Sequence, residues 1–193
     1  MTTASSPSPI YTIGYGTREI DDFIRLLQQY AIAYLIDVRT APYSRYRPEF
    51  SRRQLEERLQ AAGIRYIFMG DQLGGRPDDP ACYVDDKADY GRMAQRADYL
   101  AGIERLQRAA EQGQQVILMC SEGKPQECHR SKLIGKTLTE DGIDVIHLDE
   151  NDASCTQEEI IFRITGGQLG LFGDPEFTSR KRYPAEKADP RDE

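Results

Sequence analysis

The sequence lacks several features that would place it in familiar classes of protein. No apolar run approaches the roughly 20 residues that a membrane-spanning helix needs. Four cysteines in 193 residues are too few for a disulfide-stabilised scaffold, so a reducing cytoplasm is the expected location. The net charge of -7 argues against a globally basic nucleic-acid binder, although it leaves room for a local basic patch.

The length of 193 residues fits one domain with an ordinary core. Residues 1–9 are rich in Ser, Thr and Pro, without the basic region and apolar core of a secretion signal, and are predicted to be a disordered arm. The globular domain is predicted for residues 10–164. Residues 165–193 become glycine-rich and then charged, which indicates a flexible tail.

Apolar runs alternate with helical patterns along the domain. Five runs are predicted to be strands, at residues 10–13, 34–38, 64–69, 115–120 and 143–148. A helix is predicted for residues 128–139, and capping boxes are predicted at Ser51 and Thr156. Residues 70–86 are predicted to be a long loop. This order predicts an α/β fold, with a mostly parallel five-stranded sheet and helices on both faces.

Polar or glycine-rich sequence follows four of the five predicted strands. The carboxyl ends of parallel strands meet at one edge of a sheet, and open parallel sheets bind their ligands there. We therefore expect one functional cleft to gather these segments, although glycines also make ordinary turns and Asp37 can simply cap a loop. The segments are Gly14-Tyr15-Gly16, Asp37-Val38-Arg39, Leu73-Gly74-Gly75-Arg76, and Cys120 through Arg130.

The segment after the fourth predicted strand brings together two thiols, one of the two histidines and an arginine. Cys128 falls at a predicted helix N-terminus, where free amides and the helix dipole raise the thiolate fraction. Cys120 or Cys128 is the predicted nucleophile, with His129 as acid or base, unless Cys120 is only a small buried apolar residue. Glu122 and Asp37 are candidate proton carriers or orienting groups.

A metal site is an alternative to thiol chemistry. Cys120, Cys128 and His129, with Cys82 or His147, offer ligands suited to zinc or iron. The gap between Cys120 and Cys128 is not a usual zinc spacing, and adjacent side chains on a helix point about 100° apart. We therefore expect neither a metal ion nor another cofactor.

Residues 39–53 form a basic and aromatic segment in an otherwise acidic protein. Guanidinium groups match phosphates, and aromatic faces stack on bases, so this segment predicts a phosphorylated or nucleic-acid ligand. Arg52 and Arg53 are expected only to decorate a helix surface. The predicted phosphate contacts are Arg39, Arg45, Arg47, Arg76 and Arg130, and the predicted stacking residues are Tyr43 and Tyr46.

These motifs together resemble the domain of unknown function 488 family of bacteria and archaea over residues 10–148. The resemblance rests on Thr12-Ile13-Gly14, Asp37-Val38-Arg39 with Pro42 and Ser44-Arg45, Leu73-Gly74-Gly75-Arg76, and Cys120-x-Glu122-x-x-Pro125-x-x-Cys128-His129-Arg130. The family usually has Gly-His-Ser after the first strand. Here Tyr15 and Gly16 take the places of His and Ser, so no role of those two carries over. The resemblance implies the fold class and leaves the activity open.

The tail contains a second, independent resemblance. Gln168-Leu169-Gly170-Leu171-Phe172 is similar to the peptide with which bacterial replication and repair proteins dock on the sliding clamp. The resemblance implies that Gln168, Leu169, Leu171 and Phe172 are the docking residues, with Gln168 making the polar contact and Leu171 and Phe172 as the apolar anchors. The alternative is that these apolar residues pack on their own sheet.

The residues therefore predict a cysteine-dependent enzyme that acts on nucleic acid or nucleotides, in DNA repair or maintenance. A non-catalytic nucleic-acid or clamp-binding accessory protein is the first alternative, in which the same arginines bind and the cysteines are structural or redox-sensing. A metal-binding protein using Cys120, Cys128 and His129 is the second alternative.

Overall fold

The computed structural model describes residues 6–167 and 177–183. The clamp-like peptide at residues 168–172 lies outside the described residues. No helix in the described ranges has both the length and the apolar composition needed to span a membrane.

All five predicted strands are present and run parallel in one sheet. They are β1 (Ile10–Gly14), β2 (Tyr34–Asp37), β3 (Arg65–Phe68), β6 (Val116–Cys120) and β7 (Val145–Leu148). A short hairpin, β4 (Tyr83–Val84) and β5 (Lys87–Ala88), forms a separate small sheet. Every residue of β6 is buried, as expected for a central strand covered on both faces.

The prediction of five strands is wrong by one. A sixth strand, β8 (Ser154–Thr156), pairs antiparallel with β7 at the sheet edge, which gives the order β3-β2-β6-β1-β7-β8. Its three residues are mostly exposed and carry no apolar run, so sequence periodicity could not reveal it.

Helices cover both faces of the sheet, as predicted. The helices are α1 (Ile20–Gln29), α2 (Arg52–Ala61), α3 (Gly70–Leu73), α4 (Tyr90–Met93), α5 (Ala97–Glu111), α6 (Lys136–Glu140) and α7 (Gln157–Thr165). Apolar residues of α1 and α2 belong to one buried cluster, and those of α5, α6 and α7 belong to the cluster on the other face. The mostly parallel α/β class predicted from the sequence is therefore confirmed.

The two predicted capping boxes have different outcomes. The box at Thr156 is confirmed, because its hydroxyl accepts from the Glu159 amide and the Glu159 carboxylate accepts from the Thr156 amide. The box at Ser51 is wrong. The Ser51 hydroxyl instead accepts from the Ser44 amide at 3.1 Å, so it fixes the preceding loop rather than the helix.

The helix predicted for residues 128–139 is divided. A 3-10 turn spans Pro125–Glu127, and Cys128 follows with extended backbone angles of φ -113° and ψ 151°. Arg130–Gly135 is then a π-helical segment, which continues into α6. Such π-helical turns are rare and occur often at functional sites.

The predicted loop at residues 70–86 contains regular structure, and part of the predicted tail packs against it. The loop contains α3, a 3-10 turn at Pro80–Cys82 and β4. Residues 177–183 return to this region, where the Ser179 amide donates to the Ala88 carbonyl at 2.9 Å and the Tyr90 amide donates to the Phe177 carbonyl at 3.1 Å. This returning segment, residues 177–183, thus packs against the loop region and borders the cleft described below.

Candidate thiol site

A narrow cleft lies at the carboxyl ends of β2 and β6. Its enclosed volume is about 20 Å³. It is lined mainly by Arg39, Gly75, Arg76, Tyr90, Cys120, Glu122, Glu127, Cys128 and His129, and by Ser179, Arg180, Lys181 and Tyr183 of the returning segment. Of the predicted cleft residues, Arg39, Arg76 and Cys120 line it, whereas Gly14, Asp37 and Arg130 do not.

The two thiols of the predicted motif are in contact. The Sγ atoms of Cys120 and Cys128 are 2.7 Å apart, and both side chains are buried. Burial, reinforced by the adjacent Cys128 sulfur, raises the pKa of Cys120 well above its ordinary value. Cys120 therefore keeps its proton and is placed to donate it to the Cys128 sulfur.

Cys128 has two further polar neighbours. Its Sγ accepts from the Arg130 backbone amide at 3.5 Å and lies 3.6 Å from Nδ1 of His129. Nε2 of His129 is 3.1 Å from the Val38 carbonyl, which can only accept, so Nε2 carries the hydrogen of the neutral ring. Nδ1 is then free to accept the proton of the Cys128 thiol.

The expectation that Cys128 and His129 diverge by about 100° on a helix is wrong. That expectation assumed that both residues are helical. Cys128 is extended, and this backbone conformation turns its sulfur toward the following imidazole.

Glu122 adds a carboxylate beside the thiols. Burial by itself would raise the pKa of Glu122, but the electrostatic effects of His129 and Lys181, together with hydrogen bonds from its own amide and from Cys128, outweigh it. The net effect is a lowered pKa, so the carboxylate is ionised. A carboxylate oxygen of Glu122 and the two sulfurs all lie within 4.8 Å of one another.

Asp37 does not face the cleft. It is fully buried and forms a salt bridge with Arg39, whose Nε and Nη2 donate at 2.9 and 2.6 Å, while the Tyr66 hydroxyl donates at 2.8 Å. Burial alone would lower the pKa of Arg39, but the Asp37 carboxylate raises it above its ordinary value. Asp37 thus fixes the orientation of the Arg39 guanidinium group, which lines the cleft.

Two buried arginines keep unused donors. Nη1 of Arg39, and both Nε and Nη1 of Arg130, are buried without a hydrogen-bond partner in the described residues. Nη2 of Arg130 donates to the Glu122 and Gly123 carbonyls at 3.1 and 2.7 Å, which fixes the loop after β6. Buried unsatisfied donors are uncommon in native proteins and indicate a missing acceptor, such as water or an anion.

The second histidine serves a buried network behind the cleft. Nε2 of His147 is 2.6 Å from Oε1 of Gln157, and Nδ1 is 2.6 Å from the Thr12 hydroxyl. Nε2 of Gln157 in turn donates to the Ser131 carbonyl at 3.0 Å. Burial and the nearby Arg130 charge lower the pKa of His147 to about 3, so the ring is neutral and both nitrogens are engaged.

The predicted glycine-rich loop after β1 supports the thiol loop rather than lining the cleft. A Cβ on Gly14 would lie 1.6 Å from the Glu122 carbonyl oxygen, so only glycine permits this approach. The amides of Tyr15 and Gly16 donate to the Cys120 and Ser121 carbonyls at 3.1 and 3.0 Å. Gly16 also has a positive φ of 50°.

The basic aromatic segment is only partly available for a ligand. Arg47 is held by Glu49 at 2.7 Å and Glu19 at 3.2 Å. Tyr43 and Tyr46 are 47% and 83% exposed, and Arg45 between them is exposed without a salt bridge to any described residue. Arg45, Tyr43 and Tyr46 therefore remain candidates for a ligand contact.

Among the described residues, the donors grouped closely enough to hold a metal ion are Cys120, Glu122 and Cys128. The group does not include His129, Cys82 or His147. Two thiolates bound to one tetrahedral zinc at about 2.3 Å each are separated by about 3.8 Å. The sulfurs here are 2.7 Å apart, so this arrangement does not fit a shared zinc ion without movement.

The contribution of the returning segment to the cleft was not predicted from the sequence. Lys181 and Tyr183 line the cleft, and the Tyr183 ring stacks on the Arg76 guanidinium at 4.2 Å. Arg180 also lines it and pairs with Glu127 at 3.0 Å. The run Arg180-Lys181-Arg182-Tyr183 repeats the basic aromatic character of residues 39–53, and this was the available signal.

Comparison with known proteins gives one finding. Neither the curated proteins nor the solved structures yield a match. The family model described as "Domain of unknown function DUF488" matches residues 19–136, more than half of the 193 residues and including both thiols of the cleft. The chain therefore belongs to the DUF488 family.

Proposed function

We propose that this protein is a thiol enzyme that acts on a phosphate-bearing substrate, a nucleotide or nucleic acid, through Cys128. The observation that carries the proposal is the environment of Cys128 Sγ, which lines the cleft. This sulfur lies 3.6 Å from Nδ1 of His129 and accepts a hydrogen bond from the Arg130 backbone amide. A nucleophile beside a base that is itself oriented by a third group is the usual arrangement of nucleophilic catalysis. Here the third group is the Val38 carbonyl.

Each neighbour of Cys128 has a separate role in this proposal. Nδ1 of His129 accepts the thiol proton and returns it to the leaving group. The Arg130 amide and the Cys120 thiol donate to the resulting thiolate and keep it in place. The ionised Glu122 stabilises the His129 cation that forms.

The charges around the cleft support an anionic substrate. Arg39, Arg76, Arg180 and Lys181 line it, against the carboxylates of Glu122 and Glu127. Asp37 neutralises Arg39 and Glu127 pairs with Arg180, whereas neither Arg76 nor Lys181 forms a salt bridge with a described residue. The free Nη1 of Arg39 adds a buried donor without an acceptor. Phosphate oxygens meet these requirements.

A second cavity supports a nucleotide rather than phosphate alone. It has a volume of about 250 Å³, shares Arg76 with the cleft, and includes Phe68, Met93 and Tyr99 in its walls. This volume is below the ~300–1,000 Å³ of pockets for drug-sized ligands and suits a smaller planar group such as a base. The cleft itself, with a volume of about 20 Å³, is too small for a phosphate group, so entry of a phosphate requires the returning segment to move outward.

The test is protection of Cys128 from iodoacetamide, followed residue by residue by peptide mass spectrometry. A nucleoside monophosphate is expected to protect at a lower concentration than inorganic phosphate, and the uncharged nucleoside is expected not to protect. Arg76→Gln should raise the protecting concentration of the monophosphate. Arg65→Gln is the matched control, because Arg65 is exposed and lies at the start of β3, at the end of the strand away from the cleft.

Two results would count against this proposal. One is that no phosphate-bearing ligand slows alkylation of Cys128. The other is that the nucleoside protects as well as the monophosphate, which would remove the role of the arginines.

The exposed pair of tyrosines favours a second candidate function, binding of single-stranded nucleic acid. Tyr43 and Tyr46 offer ring faces, and Arg45 offers a charge for a phosphate. Binding of a fluorescent oligonucleotide should weaken steeply with salt, because displaced counterions drive it. Arg45→Ala should flatten the salt dependence, whereas Arg53→Ala, which removes an arginine paired with Glu57, should not. Equal salt slopes would exclude this surface.

A role in DNA repair or maintenance rests on the clamp-like peptide, which lies outside the described residues. If the peptide docks, Leu171 and Phe172 are the apolar anchors. Replacing both with Ala should abolish binding to a bacterial sliding clamp and leave alkylation of Cys128 unchanged. A lack of clamp affinity in the intact protein would remove this part of the proposal.

A further inference from the structure

The second thiol, Cys120, has only a supporting part in the proposed attack on a substrate. Its sulfur is 2.7 Å from that of Cys128, compared with about 2.05 Å in a disulfide. Both sulfurs line the cleft, and the other two cysteines, Cys82 and Cys155, do not. A buried thiol this close to a nucleophilic one is in the position of a resolving cysteine.

We propose that Cys120 and Cys128 form a redox-active dithiol, which reduces a small hydroperoxide and closes into an intramolecular disulfide. In the first step the Cys128 thiolate attacks one peroxide oxygen. A sulfur–oxygen bond forms, the oxygen–oxygen bond breaks, and the departing alkoxide or hydroxide takes the proton held by His129. Cys128 is then a sulfenic acid, and the peroxide has become an alcohol or water.

In the second step the Cys120 sulfur attacks the Cys128 sulfur. A sulfur–sulfur bond forms, the sulfur–oxygen bond breaks, and hydroxide leaves with the Cys120 proton as water. Two thiols are oxidised by two electrons in total, and one peroxide is reduced by two electrons. The proximity of the sulfurs removes the need for any large rearrangement before this step.

The cleft also determines which oxidant reacts. Its enclosed volume of about 20 Å³ exceeds the ~10–15 Å³ needed for one water and leaves space for a molecule of two oxygen atoms. Hydrogen peroxide fits without movement of the returning segment, whereas an aryl hydroperoxide does not. We therefore expect a strong preference for hydrogen peroxide.

This inference shares the Cys128 nucleophile with the proposed function but needs neither the arginines nor a phosphate ligand. The experiment contains no phosphate-bearing ligand, so the two proposals fail separately. A protein that forms the disulfide but shows no ligand protection would support only the dithiol. The reverse result would support only the substrate site.

In the experiment, the full chain is treated with hydrogen peroxide in phosphate-free buffer. The protein is then denatured, the remaining thiols are blocked with iodoacetamide, and the peptides are mapped by mass spectrometry. The expected product is one peptide pair joined through Cys120 and Cys128, with Cys82 and Cys155 blocked. Dithiothreitol should reverse it. Cumene hydroperoxide should react much more slowly.

Variants then assign the order of events. Cys120→Ser should stop at a sulfenic acid on Cys128, which dimedone traps, and Cys128→Ser should leave Cys120 unoxidised. Cys155→Ser is the matched control and should behave as the unaltered protein. Four blocked thiols in the peroxide-treated unaltered protein would overturn the proposal. So would a disulfide that forms only between molecules. Neither result depends on the folding of a variant.

Discussion

At the residue scale, the buried ion pair of Asp37 and Arg39 is the main electrostatic support of the cleft wall. Asp37→Asn leaves the Arg39 cation buried without its counter-ion and should lower the free energy of unfolding by about 3–5 kcal/mol. Unfolding in guanidinium chloride measures this loss of free energy. Glu57→Gln, which breaks the exposed pair with Arg53, should cost less than about 1 kcal/mol. Equal costs for the two variants would contradict the assigned role of Asp37.

The buried His147 makes a prediction about pH. Its pKa is lowered from 6.5 to about 3 in the folded protein, so only the unfolded chain takes up a proton between these values. The stability linked to His147 is therefore fully present above the unfolded pKa and is lost as the pH falls below it. The free energy of unfolding should fall by up to about 1.4 kcal/mol per pH unit from this residue.

Unfolding by urea at a series of pH values from neutral to mildly acidic tests this effect. His147→Gln should be less stable at neutral pH, because the network with Thr12 and Gln157 is changed, and should lose part of the acid dependence. An unchanged slope in the variant would show that other groups cause it.

At the scale of elements, the thiol loop after β6 depends on its close approach to the end of β1. A methyl group on Gly14 would collide with the Glu122 carbonyl, so Gly14→Ala should displace the loop. We expect slower alkylation of Cys128 as well as lower stability. Gly142→Ala is the matched control, because Gly142 has a positive φ of 82° but no atom near its Cβ position.

The control should lose about 1 kcal/mol of stability through backbone strain. Its alkylation rate at Cys128 should stay unchanged. If both glycine variants alter the rate equally, the effect belongs to general destabilisation and not to the loop contact.

The returning segment contributes charge to the cleft. Lys181 lines it, whereas the neighbouring exposed Arg182 does not. Iodoacetate is an anion and iodoacetamide is neutral, so the ratio of their rates at Cys128 reports the local potential. Lys181→Gln should lower this ratio, and Arg182→Gln should leave it nearly unchanged. A ratio insensitive to Lys181 would mean that the segment only covers the cleft.

At the scale of the whole molecule, the sequence predicts the parallel sheet well because its signal is local. Each of the five parallel strands is a run of apolar residues between turn residues, and such runs need no knowledge of distant contacts. The edge strand β8 has no such run. β8 forms because its backbone pairs with β7, and this pairing is a tertiary contact that the local sequence does not encode.

The candidate site divides in the same way. Cys120, Cys128 and His129 are close in sequence, so their meeting at the end of β6 was predictable. The inward turn of Cys128 was not predictable, because it follows from a break between a 3-10 turn and a π-helical segment. Gln157 donates a hydrogen bond to the Ser131 carbonyl within that π-helical segment. The contribution of Lys181 was also hidden, since it depends on hydrogen bonds between the returning segment and β5.

The central claim is that Cys128 is the reactive thiol of this protein, and alkylation rates of all four cysteines in the native state test it most directly. Limiting iodoacetamide at neutral pH, read out by peptide mass spectrometry, gives four rates in one experiment. The account predicts that Cys128 reacts about tenfold or more faster than Cys82, Cys120 and Cys155. His129→Ala should remove most of that advantage. A Cys128 that reacts no faster than Cys82 in the unaltered protein would contradict the account.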